Sequence, residues 1–223
     1  MAQAKTGPNW FAIIIATITV VALVGVGALV VVLNNRATAP GVAPEGAIIN
    51  SETGAISFGE GPEEIGTYID FLCPHCADFE AAYGPSLSEA AADGTITLNV
   101  FPVAILNAAS QGTNFSSRAG GAMYCVAAEA PDSALDFMQL LFENQSSAIS
   151  LSDADIAALA EQVGAGAAAD CIGDQTYTKF VEDKTGNMPT DPATGRAGTP
   201  TVTINGERID LSQVQTRFAE ILG

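Results

Sequence analysis

The stretch that decides the fold runs from Asp70 to Cys76 and reads DFLCPHC. It closes an apolar run over residues 65–72 and precedes residues 77–92, whose pattern predicts a helix. Two cysteines at this spacing can close a small disulfide that is easily reduced. The unpaired N–H groups and the positive end of the helix dipole stabilise a thiolate at a helix N-terminus. Because a stabilised thiolate favours the dithiol, the disulfide form becomes an oxidant. The motif therefore indicates disulfide exchange.

Other chemistries of a Cys-x-x-Cys pair fit this sequence less well. A zinc site needs a second ligand pair at comparable spacing, but Cys125 and Cys171 stand alone and His75 is the only histidine. A c-type haem site needs a histidine directly after Cys76, where the chain has Ala77. An inert bridge would close too short a loop to stabilise the fold much. Redox chemistry is favoured over a metal site or an inert bridge, and we expect neither a metal nor a cofactor.

An apolar segment precedes this motif. Residues 10–33 carry no charge and would span roughly 36 Å as a helix, enough to cross a bilayer. The apolar region of a cleaved signal peptide is shorter. Residues 37–39 resemble a cleavage site, but Pro40 follows directly, so we expect a retained signal anchor rather than a cleaved signal. The predicted divisions are an N-terminal segment at 1–9, a transmembrane anchor at 10–33, a flexible tether at 34–52 and a folded domain at 53–223.

Orientation and charge limit the compartment and the partners. Lys5 and Arg36 flank the apolar span, so the positive-inside rule alone barely decides the topology. Four cysteines, two of them in a redox pair, suit an oxidising compartment outside the cytoplasm. We therefore expect a single-pass protein of the cell membrane with a cytoplasmic N-terminus and an extracytoplasmic domain. The net charge of −17 excludes nucleic-acid binding, because nothing would neutralise phosphates.

The rest of the chain alternates between strand and helix patterns. Strands are predicted at residues 55–58, 65–72 and 95–101, a series of helices over 116–183, a hairpin at 201–210, and a terminal helix that Ser212 caps. This order places most of the helices between two groups of strands.

Two motifs carry a resemblance to a known family. Residues 70–76 resemble the active-site strand of the DsbA-like thiol oxidoreductases, and residues 198–206, GTPTVTING, resemble the cis-proline strand and hairpin of the same family. The resemblance covers roughly residues 56–223, and the anchor resembles that of membrane-bound bacterial members. It implies an α/β thioredoxin-like fold with an inserted α-helical subdomain at about residues 103–195.

The resemblance assigns roles to the Cys-Pro-His-Cys motif. It implies that Cys73 is the exposed cysteine that a substrate thiolate attacks and that Cys76 is its buried partner. Pro74 and His75 between them are typical of an oxidant, whereas a Gly-Pro pair would be typical of a reductase. His75 can add positive charge beside Cys73 when it is protonated, or it can be an ordinary helix-cap residue.

The second motif and one departure complete the implied site. Pro200 corresponds to the family's cis-proline, which faces the disulfide, and the main chain of Thr199 would pair with an extended substrate segment. A trans proline at the start of a strand is the alternative. Several relatives carry a buried acid six residues before the first cysteine, where it helps the second thiol lose its proton. Here that position is Thr67.

The remaining cysteines lie in the predicted helical subdomain. Cys125 and Cys171 are interpreted as a structural disulfide that joins two helices and stabilises the fold by about 2 to 4 kcal/mol. A second redox pair and two unrelated free thiols stay open as alternatives. The wide separation of the two residues in the chain argues against fast catalytic cycling.

Three functions are compatible with these features. The leading hypothesis is a membrane-anchored thiol oxidase that introduces disulfide bonds into reduced or unfolded exported proteins. A reductase or isomerase on the same fold and a non-catalytic chaperone or binding module of the envelope are the alternatives. The resemblance implies reoxidation by a membrane partner, DsbB or a vitamin K epoxide reductase homologue, and residues 10–33 would contact lipid.

Overall fold

The structure is a computed structural model that describes residues 8–223, so Lys5 and most of the predicted N-terminal segment lie outside it. The chain divides at Pro40 into an N-terminal helical unit and a compact domain from Gly41 to Gly223. Helix α1 runs from Trp10 to Thr38. Its portion Trp10–Asn35 is long and apolar enough to cross a membrane by length and composition.

The structure differs from the predicted flexible tether at residues 34–52. Helix α1 continues to Thr38, and the chain joins the domain from Gly41 onward. The Gly41 N–H donates a hydrogen bond of 2.7 Å to Asp183 Oδ2, and residues Ile49–Asn50 form a strand of the domain's sheet. Because this glycine- and proline-containing segment finds partners on the domain, its composition does not make it a free linker.

One sheet of six strands organises the domain. The strands are β1 (Ile49–Asn50), β2 (Ala55–Phe58), β3 (Glu63–Ile69), β4 (Ile96–Pro102), β5 (Thr201–Ile204) and β6 (Glu207–Ile209). They lie in the order β1-β2-β4-β3-β5-β6. Strands β3 and β4 are parallel, and all other neighbours are antiparallel. β3 is central and largely buried, which explains the apolar run before the cysteine motif.

Helices complete the domain, and most of them form the insertion that the sequence predicts. The helices are α2 (Pro74–Ala92), α3 (Phe115–Glu129), α4 (Ala134–Glu143), α5 (Asp153–Gln162), α6 (Ala169–Gly173), α7 (Thr178–Thr185) and α8 (Val214–Leu222). Helices α3 to α7 lie between β4 and β5 in the chain. Ser212 does not cap the last helix: the Asp210 side chain accepts the Ser212 N–H at 2.8 Å and starts a short 3₁₀ turn, and α8 begins afterwards.

A disulfide joins two helices of the insertion. Cys125 in α3 and Cys171 in α6 are bonded, with an S–S distance of 1.98 Å and a sequence separation of 46 residues. Cys125 is buried within α3, the most deeply buried helix of the insertion. The bond therefore connects the centre of the helical subdomain to its outer part.

Candidate active site

The cysteine motif lies where the central strand passes into helix α2. Cys73 is the N-cap residue of α2 in an extended conformation, and Pro74 occupies the first turn. Proline is favoured there because its ring fixes a helical φ and the helix needs no N–H at that position. The Cys73 N–H donates to the Asp70 carbonyl at 2.9 Å, which closes the turn between strand and helix. The sulfur of Cys73 therefore lies at the helix N-terminus that the sequence predicts.

A buried carboxylate fixes the loop before Cys73. Asp70 is 0% exposed, and its two oxygens accept the N–H groups of Leu72 and Leu106, each at 2.9 Å. Burial raises the pKa of Asp70, and these two N–H donors oppose that rise. The side chain thus ties the active-site loop to the segment after β4. An acid inside an apolar run is the sequence signal for such a role, although the run alone does not identify the partners.

The two cysteines differ in their surroundings. Both are thiols in this structure; Cys73 is 5% exposed and Cys76 is 0% exposed. Cys73 is therefore less exposed than the resemblance implies. Its thiol donates to the Thr199 carbonyl at 3.4 Å, so the loop before β5 covers part of the sulfur. The peptide bond between Thr199 and Pro200 is cis. The structure thus brings the two sequence motifs together at one site.

Hydrogen bonds to the Cys73 sulfur separate the acidities of the two thiols. The Cys76 thiol donates to Cys73, and this contact contributes most to lowering the pKa of Cys73 to about 5. Burial opposes the shift, while the Thr199 side chain and the N–H groups of Cys76 and His75 add to it. The pKa of Cys76 is raised because its thiol is held as the donor to Cys73 and because it is buried. At neutral pH the arrangement favours a Cys73 thiolate beside a Cys76 thiol.

The structure places the His75 ring on the exposed side of the first turn of α2. Its side chain is 83% exposed, and its Nδ1 lies 3.9 Å from the carboxylate of Asp78. Residues two apart do not share a face of a helix, whereas residues three apart do. Cys76 therefore faces Cys73, and the backbone N–H of His75 is among the groups that lower the Cys73 pKa.

No acid occupies the position six residues before Cys73. Thr67 is buried there, and its hydroxyl has no hydrogen-bond partner among residues 8–223. A hydroxyl cannot accept a proton from a thiol at neutral pH. Glu80, one helical turn after Cys76, is a half-buried carboxyl whose pKa is raised to about 7 by desolvation. The sequence alone gives no sign of a role for Glu80, because its burial depends on how α2 packs.

An apolar groove lies beside the motif and was not predicted. Helix α2, the cis-proline loop and the start of α8 form its walls. Its lining residues are His75, Asp78, Phe79, Tyr83, Pro200, Leu211 and Val214. The helical spacing of Phe79 and Tyr83 is a possible sequence signal, but the same spacing is typical of core residues. Within the described residues, no cluster of three or more His, Cys, Asp or Glu side chains is placed to hold a metal ion.

Fold and site together define the class: this is a thiol-disulfide oxidoreductase with a DsbA-like arrangement of sheet, helical insertion and Cys-x-x-Cys motif. The thioredoxin family model (Thioredoxin_4) matches residues 55–223. The match covers most of the 223-residue chain, and the chain belongs to this family. The predicted α/β thioredoxin-like fold with a helical insertion is therefore confirmed.

Solved structures and a curated relative agree with this assignment to different extents. Oxidised DsbA from Mycobacterium tuberculosis superposes with a TM-score of 0.63 at 29% identity, covering 76% of this chain and 93% of that one. The thiol-disulfide oxidoreductase MdbA from Actinomyces oris gives 0.61 at 26% identity, covering 83% and 95%. The serine/threonine-protein kinase PknE from M. tuberculosis is 31% identical over 110 residues, 47% of this chain. The chain spans only 19% of the length of that kinase.

Proposed function

We propose that this protein is a membrane-anchored, extracytoplasmic thiol oxidase that introduces disulfide bonds into exported proteins through Cys73 and Cys76. The observation that carries the proposal is the unequal acidity of the two thiols at the start of α2, with the pKa of Cys73 lowered to about 5 and that of Cys76 raised. A thiolate that is stable in the reduced enzyme makes the disulfide form a stronger oxidant.

The proposed exchange passes two electrons from substrate to enzyme. A substrate thiolate attacks the Cys73 sulfur, the Cys73–Cys76 bond breaks, and Cys76 leaves and takes up a proton. A second substrate thiolate then attacks the substrate sulfur of the mixed disulfide, and Cys73 leaves as a thiolate. The substrate dithiol becomes a disulfide and the enzyme disulfide becomes a dithiol. Because the leaving Cys73 thiolate is stabilised by Cys76 and nearby N–H groups, the second step is favourable.

The apolar groove and the cis-proline loop support binding of an unfolded polypeptide. The groove lies next to His75 and Pro200 and offers mostly apolar side chains, which suit segments that a folded substrate would bury. The Thr199 carbonyl, which accepts from the Cys73 thiol, lies beside the reacting sulfur. In the proposed complex, an extended substrate would pair with the main chain of Thr199 while its cysteine reaches Cys73.

The membrane part of the proposal rests on helix α1. Its length and composition suit a single membrane crossing, and disulfide formation requires an oxidising compartment. A membrane protein of the DsbB or vitamin K epoxide reductase type would take the two electrons from the reduced enzyme. If the proposal holds, protease added to cells without their wall cleaves the domain, and protection of the domain contradicts this topology.

The redox potential tests the direction of exchange against the reductase or isomerase alternative. A Cys73 pKa of about 5 corresponds at pH 7 to about two units of extra thiolate stability. This stabilisation makes the redox potential about 60 mV more oxidising than that of a dithiol whose nucleophilic cysteine has a pKa above 7. We expect full-length protein in detergent micelles, equilibrated with glutathione, to be more oxidising than thioredoxin, which is near −270 mV. A thioredoxin-like potential rejects the oxidase.

Two variants test the assigned cysteine roles in the same assay. Cys73→Ser should abolish oxidation of a reduced model substrate, because the attacked sulfur is missing. Cys76→Ser should accumulate mixed disulfides through Cys73, because the intramolecular attack that releases the substrate is lost. The proposed roles require Cys76→Ala to retain exchange with a monothiol and Cys73→Ala to lose it. If Cys73→Ala retains exchange and Cys76→Ala loses it, the roles of the two cysteines are reversed.

A further inference from the structure

The carbonyl groups of the active-site loop have a partner in the helical insertion. Gln145 Nε2 donates hydrogen bonds to the carbonyl oxygens of Phe71 and Cys73, each at 3.0 Å. Since both neighbours are acceptors, the nitrogen end of the amide must face them. Gln145 lies 74 positions after Phe71 and 72 positions after Cys73 in the chain. A side chain outside the cysteine motif therefore holds the active-site loop.

The position of Gln145 is itself fixed by its neighbours. It is the first residue of a 3₁₀ helix, Gln145–Ser150, directly after α4. Asn144 ends α4 by donating its backbone N–H and its side-chain amide to the Leu140 carbonyl, at 3.2 and 2.9 Å. Phe142 packs on the ring of Phe71, with ring centroids 5.0 Å apart. These contacts keep the half-buried Gln145 side chain on the loop.

The hydrogen bonds of Gln145 act on the geometry around the Cys73 sulfur. The Cys73 carbonyl also accepts the N–H groups of Cys76 and Ala77, at 3.0 and 3.2 Å, and so closes the first turn of α2. The N–H groups of His75 and Cys76 lower the pKa of Cys73. A donor on the Cys73 carbonyl holds that turn in place. The partial positive charge of the Gln145 amide N–H groups also offsets the negative ends of the Phe71 and Cys73 carbonyl dipoles, which lie in the loop that carries the sulfur.

We propose that Gln145 is a positioning residue for Cys73: it holds the active-site loop in the geometry that favours the thiolate, so the dithiol–disulfide balance depends on the helical insertion. The inference rests on the proposed function in one respect, since it takes Cys73 as the reacting sulfur. Gln145 does not enter the exchange itself, because every bond that forms or breaks joins two sulfur atoms.

Two substitutions and a matched control isolate this role. Gln145→Met keeps a similar length and removes the donor. Gln145→Glu keeps the shape but places carboxylate oxygens and a negative charge against two carbonyl oxygens. The control is Gln139→Glu, because Gln139 is exposed on α4 and its amide donates only to Glu143 on the same helix, at 3.0 Å. The control makes the same charge change in the same subdomain away from the active-site loop.

The readouts are the pKa of Cys73, from thiolate absorbance against pH, and the equilibrium with glutathione, both on the full chain in detergent. Gln145→Met should raise the Cys73 pKa by about half to one unit, the effect of one neutral hydrogen bond. The glutathione equilibrium should then shift about three- to tenfold toward the enzyme disulfide. Gln145→Glu should move both quantities further in the same direction, and Gln139→Glu should leave both near wild type.

Unfolding in urea separates this role from a purely structural one. A structural contact lowers the stability of the oxidised and reduced forms alike, whereas the proposal requires the reduced form to lose more. Equal losses in both forms, with wild-type pKa and glutathione equilibrium in both Gln145 variants, overturn the inference. The redox potential of the wild-type protein tests the oxidase proposal separately. The role of Gln145 is judged by differences between variants, so either can fail alone.

Discussion

The Cys76 thiol is the largest contributor to the acidity of Cys73, and replacing it gives a sharp test of the site. In Cys76→Ala the Cys73 thiolate loses the S–H donor, while the helix N-terminus and the Thr199 loop remain. A hydrogen bond to a charged group contributes roughly 1.5 to 3 kcal/mol, and one pKa unit corresponds to about 1.4 kcal/mol. We therefore expect the pKa of Cys73 to rise from about 5 to about 6 to 7 in this variant.

Cys76→Ser is the matched control because its hydroxyl keeps a donor of nearly the same size. Its Cys73 pKa should stay near about 5. Both variants have a single titrating thiol, since Cys125 and Cys171 are joined in a disulfide. The rate of Cys73 alkylation against pH therefore reports one group without overlap from a second cysteine. Thiolate absorbance over the same pH range gives an independent value for the same pKa.

The two variants can contradict the hydrogen-bond explanation directly. If the pKa of Cys73 stays near about 5 in Cys76→Ala as well as in Cys76→Ser, the Cys76 donor is not what makes Cys73 acidic. The helix N-terminus would then carry the effect alone. A pKa near the ordinary value of about 8.5 in both variants would mean that the serine hydroxyl cannot replace the thiol. Unfolding curves for both proteins show whether a change in folding accounts for the result.

Three further predictions concern the surroundings of the site. Replacing Cys125 and Cys171 together by alanine should lower the free energy of unfolding by about 4 kcal/mol, the chain-entropy value for a loop of this length, while the glutathione equilibrium stays unchanged. Glu80→Gln should stabilise the protein by about 1 to 3 kcal/mol at pH 8, because the raised pKa of about 7 makes the carboxylate destabilise the fold increasingly as pH rises above the unfolded-state value; urea unfolding should show a clearly larger gain at pH 8 than at pH 5. Thr67→Asp should speed the release of reduced substrate from mixed disulfides, measured by mass spectrometry after acid quenching, and an unchanged release rate would show that an acid at this position does not serve Cys76.

The sequence predicts the parts of the site that depend on neighbouring residues. The strand before Cys73, the helix after it and the thiolate-stabilising N-terminus all follow from local pattern. The contact between the Cys73 thiol and the Thr199 carbonyl joins residues 126 positions apart, and only the family resemblance pointed to it. The contacts of Gln145 have no local pattern at all, because a glutamine after a helix has many possible partners.

Two placements that the sequence does not predict have a common physical cause. The segment at 34–52 has the composition of a free linker, yet Gly41 donates to Asp183, a residue 142 positions away. His75 has the spacing of a charge beside Cys73, yet its ring is exposed near Asp78. In both cases composition and spacing describe what a residue can do. The packing of distant elements then decides which of those possibilities is realised.

Position 67 holds a threonine rather than an acid, and this affects the direction of the proposed reaction. A mixed disulfide on Cys73 has two fates: a second substrate thiol completes the oxidation, or Cys76 attacks Cys73 and releases the substrate still reduced. The second route needs the Cys76 thiolate, but burial raises the pKa of Cys76 and so opposes its formation. Thr67 offers no carboxylate to take the proton. The hydrogen bonds around Cys73 make it a good leaving group, and threonine at position 67 leaves Cys76 protonated. Both features therefore favour the outcome in which a substrate thiol resolves the mixed disulfide.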